Sequence, residues 1–218
     1  RLREESATKR SRLRSLRELQ EKLEGVGAGV RALMTRYAGD DEARRAKGVV
    51  GLVADRMHCP PELTEALAGA LGTQLQEVVV ERTADGLQAL DWLRTEGLGR
   101  ATLWPRRLRR VVQPRRAVTG DGVVGWLGDL VRSAPEDEAL VRALIGDVLV
   151  VEDLDTALRL QRDGVDGRFV TRGGELITEA GSLTGGAGDE NASHLLAMKR
   201  EIRELEVVVA ELTTTLGD

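Results

Sequence analysis

The chain is poor in the side chains that build metal centres, disulfide frameworks and base-stacking surfaces. Among 218 residues there is one cysteine (Cys59), two histidines (His58, His194) and an aromatic content of 2%. One thiol and two imidazoles cannot supply a four-ligand structural zinc site, and a lone cysteine closes no disulfide framework. Trp92, Trp104, Trp126, Tyr37 and Phe169 are the only aromatics, which leaves little for stacking single-stranded bases. No apolar run approaches the length that spans a bilayer. The opening "RLREESATKR" is charged, with no apolar signal region, and predicts an intracellular protein. The G-x-x-x-x-G-K-[ST] phosphate loop is missing too. A net charge of −4 argues against indiscriminate coating of nucleic acid, although it averages over local patches.

What is present begins with a hydrophobic fraction of 41%, enough for a real core. It continues with heptads at both ends. From Ala192 onward, Leu195, Ile202, Val209 and Leu216 fall seven apart, and Met198, Leu205 and Leu212 fill the second seam. Glu201, Arg203, Glu204, Glu206 and Glu211 take much of the remaining surface, which is the coiled-coil pattern. Near the N-terminus, Leu2, Ser6, Lys9, Leu13, Leu16, Gln20 and Leu23 keep the same spacing with polar interruptions. Arg10, Arg12, Arg14 and Arg17 make that segment basic against the acidic C-terminal one. The expectation is an antiparallel intramolecular coiled coil that brackets a globular body.

The body contains a degenerate repeat. In "ALGTQLQEVVVERTADGLQALDWLRTEGLGRATLWP" (70–105) and "ALIGDVLVVEDLDTALRLQRDGVDGRFVTRGG" (143–174), Val78-Val79-Val80-Glu81 answers Leu149-Val150-Val151-Glu152. Ala89-Leu90 likewise answers Ala157-Leu158, and Gly99-Arg100 answers Gly167-Arg168. Each copy reads as a buried strand, an amphipathic helix, a turn and a second strand, as in parallel pairing. Pro61 and Pro135 each open a further helix, proline being permitted in the first turn. The fold class is therefore α/β of mixed α+β type, in two lobes. The expected divisions are a coiled-coil helix over 1–24, lobe one over 25–117, lobe two over 118–187 and a second coiled-coil helix over 188–218.

Candidate chemistry is sparse. "GDGVVG" (120–125) matches G-x-G-x-x-G and precedes the helix-like "VVGWLGDLVR", but a dinucleotide site needs a strand before it and an acidic residue ending the next strand. "GVGAG" (25–29) follows a helix and reads as its stop. His58 and Cys59 have no acidic partner or nucleophile turn, and read as a packed pair. No catalytic, cofactor-binding or metal site emerges. "RRLRRVVQPRR" (106–116) is different, with six arginines and no acid. It reads as a soluble edge or as a phosphate-contacting patch, and six phosphate contacts would give a log–log salt slope of roughly −5.

Six further stretches fall in a telling order: "KGVVGLVADRM" (47–57), "ALGTQLQEVVVE" (70–81), "LGRATLWP" (98–105), "GVVGWLGDLV" (122–131), "LVVEDLDTAL" (149–158) and "RFVTRGGELITEAGSLTGG" (168–186). Together, and bracketed by coiled coil, they resemble the hinge domain of structural-maintenance-of-chromosomes (SMC) proteins. Three departures stand out: Leu103 where the family usually has an aromatic, Ala180 where it tends to glycine, and the unusual basicity of "RRLRR". The resemblance implies a toroidal homodimer of the bacterial type, with Gly181, Gly185 and Gly186 at the contact, because glycine lets backbones approach closely. It implies a role in joining two arms of a chromosome segregation or condensation ATPase, and contact with DNA or gating of it. It implies no enzyme activity or cofactor in this region, since ATP and magnesium belong to head domains elsewhere in full-length members. No small-molecule substrate or membrane partner is expected, and the location would be cytoplasmic at the nucleoid. Candidate DNA contacts, independent of sequence, are Arg100, Arg106, Arg107, Arg109, Arg110, Arg115, Arg116, Lys199, Arg200 and Arg203. The alternative is a stand-alone DNA-binding module that relies on the 106–116 run.

Overall fold

A computed structural model describes residues 2–22, 26–38, 47–107, 115–186 and 190–217. Helix α1 (Leu2–Lys22) enters the body and α8 (Glu190–Gly217) leaves it. The two pair through Leu13, Leu16, Ile202 and Leu205, with Met198 and Val209 against them. Val26, just after α1, and Ala192, near the start of α8, are both buried in the body, while Arg10 far out on α1 meets Thr213 near the end of α8, so the helices run in opposite directions. The coil is antiparallel. Arg12 and Arg17 pair with Glu201 and Glu206 across its flanks, as the opposed charges of the two segments predict. Leu2 is exposed, and Leu23 lies outside the described residues. The heptad changes role at its start, because Ala192 and Leu196 are buried in the body, with Leu195 packed against them.

The first half of the body places α2 (Ala28–Arg36) before β1 (Val49–Leu52), α3 (Thr64–Leu71), β2 (Val78–Val80), α4 (Thr83–Thr95) and β3 (Leu103–Pro105). The second runs β4 (Val123–Trp126), α5 (Leu127–Leu130), α6 (Glu138–Ile145), β5 (Val148–Val151), α7 (Leu154–Arg162) and β6 (Arg168–Thr171). It then adds the hairpin β7 (Leu176–Ile177) and β8 (Leu183–Thr184). The sheet orders are β1-β2-β3 and β4-β5-β6-β7-β8. In each, the first strand runs antiparallel to the second, and the crossover helix carries the chain to a parallel third. The repeat thus reaches further upstream than the sequence comparison took it. Gly48-Val49-Val50-Gly51 answers Gly122-Val123-Val124-Gly125, with register shifts at Val49/Gly51 and Val123/Gly125.

Register also corrects the alignment of the third strands. Val79 pairs with Trp104 and Val150 with Val170, which matches Leu103 to Phe169 and Thr102 to Arg168. The pairing of Gly99-Arg100 with Gly167-Arg168 is two residues out, because the loops before β3 and β6 differ in length. "GDGVVG" is the entry to β4, an antiparallel strand followed by only the short α5, so the expected helix over this segment is not formed. The carbonyl of Gly122 accepts the amide of Glu152 at 2.8 Å, committing this turn to the sheet.

The two sheets share one buried core. Successive strand residues point to opposite faces. Val79 of β2, with Val148 and Val150 of β5, faces a common layer built on α3 and α6. Val78 and Val80 face α2 and α4 on one outer side. Leu149 and Val151 face α7, Phe169 and Ile177 on the other. This double burial is why both central strands read as unbroken apolar runs. The halves also touch through a two-residue bridge, in which the His58 amide donates to the Arg132 carbonyl at 2.7 Å and the Arg132 amide returns the bond at 3.1 Å.

Candidate functional site

The β7–β8 hairpin is closed by the Thr178 amide on the Ser182 carbonyl at 3.0 Å and the Gly181 amide on the Thr178 carbonyl at 2.9 Å. Gly181 holds φ +84° in that turn. Beyond it β8 ends the sheet, with Leu183 70% exposed and Gly181, Gly185 and Gly186 all on the surface. A Cβ at Gly181 or Gly186 would meet no atom of the described residues within 4 Å, and one at Gly185 would come 3.3 Å from the Glu175 side chain. The fold's own packing leaves the space over this edge open. The outer strands β1 and β4 carry irregularities at Gly51 and Gly125, which blunt an edge against further pairing. The other two outer strands, β3 and β8, pair without a register shift.

At the root of the coiled coil, Lys199 of α8 is only 4% exposed and forms an ion pair with Asp55. The same carboxylate accepts the Leu52 amide at 2.8 Å. Burial works to raise the Asp55 pKa, but Lys199, Arg56 and the Leu52 N–H together outweigh it and hold the group below the usual aspartate range. Arg56 reaches Asp137 at 3.9 Å, Asp137 takes the Nε of Arg106 at 2.8 Å, and Arg106 reaches Glu81 at 3.3 Å. A chain of charges therefore links the arm root to the residue that follows β3. Two expected DNA contacts are corrected by it. Lys199 and Arg106 are buried and committed to carboxylates, because removing either charge from water requires a partner.

The remaining cations differ in freedom. Arg100 and Arg116 are exposed, and Arg107 is exposed with Glu81 at 3.9 Å. Arg115 lies 3.5 Å from Glu179, donates to the Asp166 carbonyl at 2.7 Å and sits over Trp126 at 5.4 Å. Arg109 and Arg110 lie outside the described residues. Arg200 donates to Thr64 Oγ1 at 3.0 Å, and burial lowers the guanidinium pKa of half-buried Arg203 against the pull of Asp55. Sequence reasoning missed Arg132, which is exposed beside His58 on the bridge. Its one signal was the repeat, where "VRSAP" answers "MHCPP".

Burial, with Arg203 next, lowers the His58 pKa. Burial pushes the Cys59 thiol up to about 12, and its Sγ sits 3.4 Å from the Pro60 carbonyl, so the pair offers no nucleophile. Among the described residues no group of three or more His, Cys, Asp or Glu side chains is placed to hold a metal ion. None of the described helices is long and apolar enough to cross a membrane.

These features define an α/β body mounted on an antiparallel coiled coil, with an open glycine-flanked sheet edge. The family model for the SMC proteins Flexible Hinge Domain matches residues 46–161, and the chain belongs to that family. The chromosome partition protein Smc of Myxococcus xanthus is 36% identical over 215 residues, which cover 97% of this chain and 18% of that protein. Its Bacillus subtilis counterpart is 30% identical over 209 residues, covering 91% and 17%. The chain thus spans less than a fifth of the curated relatives it matches. The solved asymmetric dimer of the Geobacillus stearothermophilus SMC hinge domain has a TM-score of 0.78 at 27% identity, over 99% of this chain and 86% of that one. The Pyrococcus furiosus SMC protein hinge domain gives 0.57 at 25% identity, over 81% and 88%.

Proposed function

We propose that the chain is the homodimerising hinge of a bacterial chromosome-partition ATPase, and that it joins two coiled-coil arms. The observation that carries this reading is the open edge at β8, with Leu183 exposed, only a few residues before the arm helix. An exposed, unblunted edge invites strand addition. Two copies pairing β8 of one with β3 of the other would repeat the contact about a two-fold axis and close it twice. The solved relative from Geobacillus stearothermophilus is itself a dimer, which supports the same state here. On this reading the role is mechanical: the hinge holds two arms together.

DNA contact, independent of sequence, belongs to the same proposal. Arg200, Arg203 and Arg132 gather near the arm root, while Arg100, Arg107 and Arg116 stand on the body. With Arg106 buried and paired to Asp137, the basic run alone supports a stand-alone DNA-binding module less well.

Sedimentation from nanomolar to tens of micromolar chain tests the dimer. The expected species has twice the chain mass, and L183E or G185W returns it to one. A monomer throughout would overturn the homodimer. Titration of a fluorescent duplex at several salt concentrations tests the DNA reading. Charge reversal at Arg132, Arg200 and Arg203 should lower the log–log slope by about two to three, and an unchanged slope removes those residues.

A further inference from the structure

Among the described residues helix α2 has no counterpart in the second half, and it shapes a surface feature of the first. Between α2 and α4 runs an open groove of about 660 Å³. Ala28, Ala32, Leu98 and Trp92 give it an apolar lining, and Arg31 and Arg36 are its charged members. Arg36 lies 4.3 Å from the centre of the Trp92 ring and 5.8 Å from that of Tyr37. Two of the chain's five aromatics thus serve to hold one cation. Arg31 donates to the Val26 carbonyl at 3.2 Å. Neither arginine has a carboxylate partner among the described residues. Elsewhere on the body Arg82, Arg94, Arg142, Arg168 and Arg172 have one, whereas Arg159 and Arg162 donate to backbone carbonyls.

We propose that this groove docks an acidic amphipathic helix of a partner protein, whose apolar side chains enter between α2 and α4 while its carboxylates meet Arg31 and Arg36. A groove between helices suits apolar anchors at i, i+3, i+4 and i+7. Two cations with no carboxylate partner among the described residues stand beside that lining, and they favour carboxylates on the visiting helix over basic side chains. A nucleic acid fits less well. The Arg36 guanidinium already covers the Trp92 ring, so a base would have to displace it before stacking, and Ala28, Ala32 and Leu98 offer no second aromatic platform.

The probe is a synthetic peptide of about four helical turns, with leucine at those spacings and glutamate at most other positions. Calorimetry measures its affinity for the whole chain, and amide shifts in a heteronuclear spectrum locate it. Saturable binding with shifts confined to α2 and α4 is expected. R31E/R36E should weaken binding by at least about tenfold at an unchanged melting temperature. If that variant unfolds, the milder R31Q/R36Q takes its place and should show a smaller loss. A peptide with lysine for every glutamate should not bind. Equal affinity for the charge variants, shifts centred elsewhere, or saturation by oligothymidylate in place of the peptide would each overturn the proposal, the last by assigning the groove to nucleic acid.

Discussion

Asp55 and Asp129 occupy matching places in the two halves, four residues past Gly51 and Gly125, and they face different partners. Asp55 is half-buried against the buried Lys199 of the arm helix. Asp129 is half exposed, and reaches Arg142 of its own half at 3.2 Å. One copy of the repeat is thus tied to the coiled coil, and the other is free to extend its sheet by the β7–β8 hairpin. The glycines that make the copies alike have the same local duty. Gly48 and Gly122 hold φ +79° and +77°, and a Cβ on either would come within 2.5 Å of the crossover helix of its half, at Asp85 of α4 or Thr156 of α7. The two copies share the strand–helix–strand packing, while their outward groups differ, one an anchor and the other an edge.

The sharpest test of that asymmetry is in the cores. Phe169 is buried while Leu103, its register match, is only half-buried. F169A should cost about 4 kcal/mol and L103A roughly half as much, by urea denaturation. Equal losses would break the comparison. Next in size, D55N should cost about 3 kcal/mol by leaving Lys199 charged, buried and unpaired, and D129N should stay within about 1 kcal/mol. The pH dependence has a definite sign. Asp55 titrates lower in the folded chain than in the unfolded one, so its contribution is present above the ordinary aspartate range and is lost as pH falls through its folded pKa. D55N should flatten the acid limb of a stability–pH curve, and D129N should not. G48A and G122A should each cost at least about 1–2 kcal/mol from the left-handed backbone, with the close approach to Asp85 or Thr156 adding to it. Similar values would sharpen the case for a shared local role, and widely different ones would confine it to one half.

The heptads, the repeat and the glycine-rich approach to α8 were legible because each is a local pattern. Period seven marks the coil, and unbroken valine marks strands buried on both faces. The register of β3 against β6 was not, since loops of unequal length hide a two-residue slip that only hydrogen-bonded pairing reveals. Charge was legible as composition and illegible as exposure. Arg106 looked like one more member of a basic run, but it turns inward to Asp137, which stands far along the chain. Lys199 sat at an outer heptad position, and the body closes over it. Arg132 drew no notice because nothing near it in sequence is basic.

By itself the sequence determined the strand–helix–strand repeat and the pairing of the two ends, because periodicity and turn chemistry act over a few residues. Only the tertiary structure decided which charges stay in water, which strand edges remain open and how the halves share a core. Those depend on what distant segments bring to the same place, where burial decides whether a cation is a ligand or a strut.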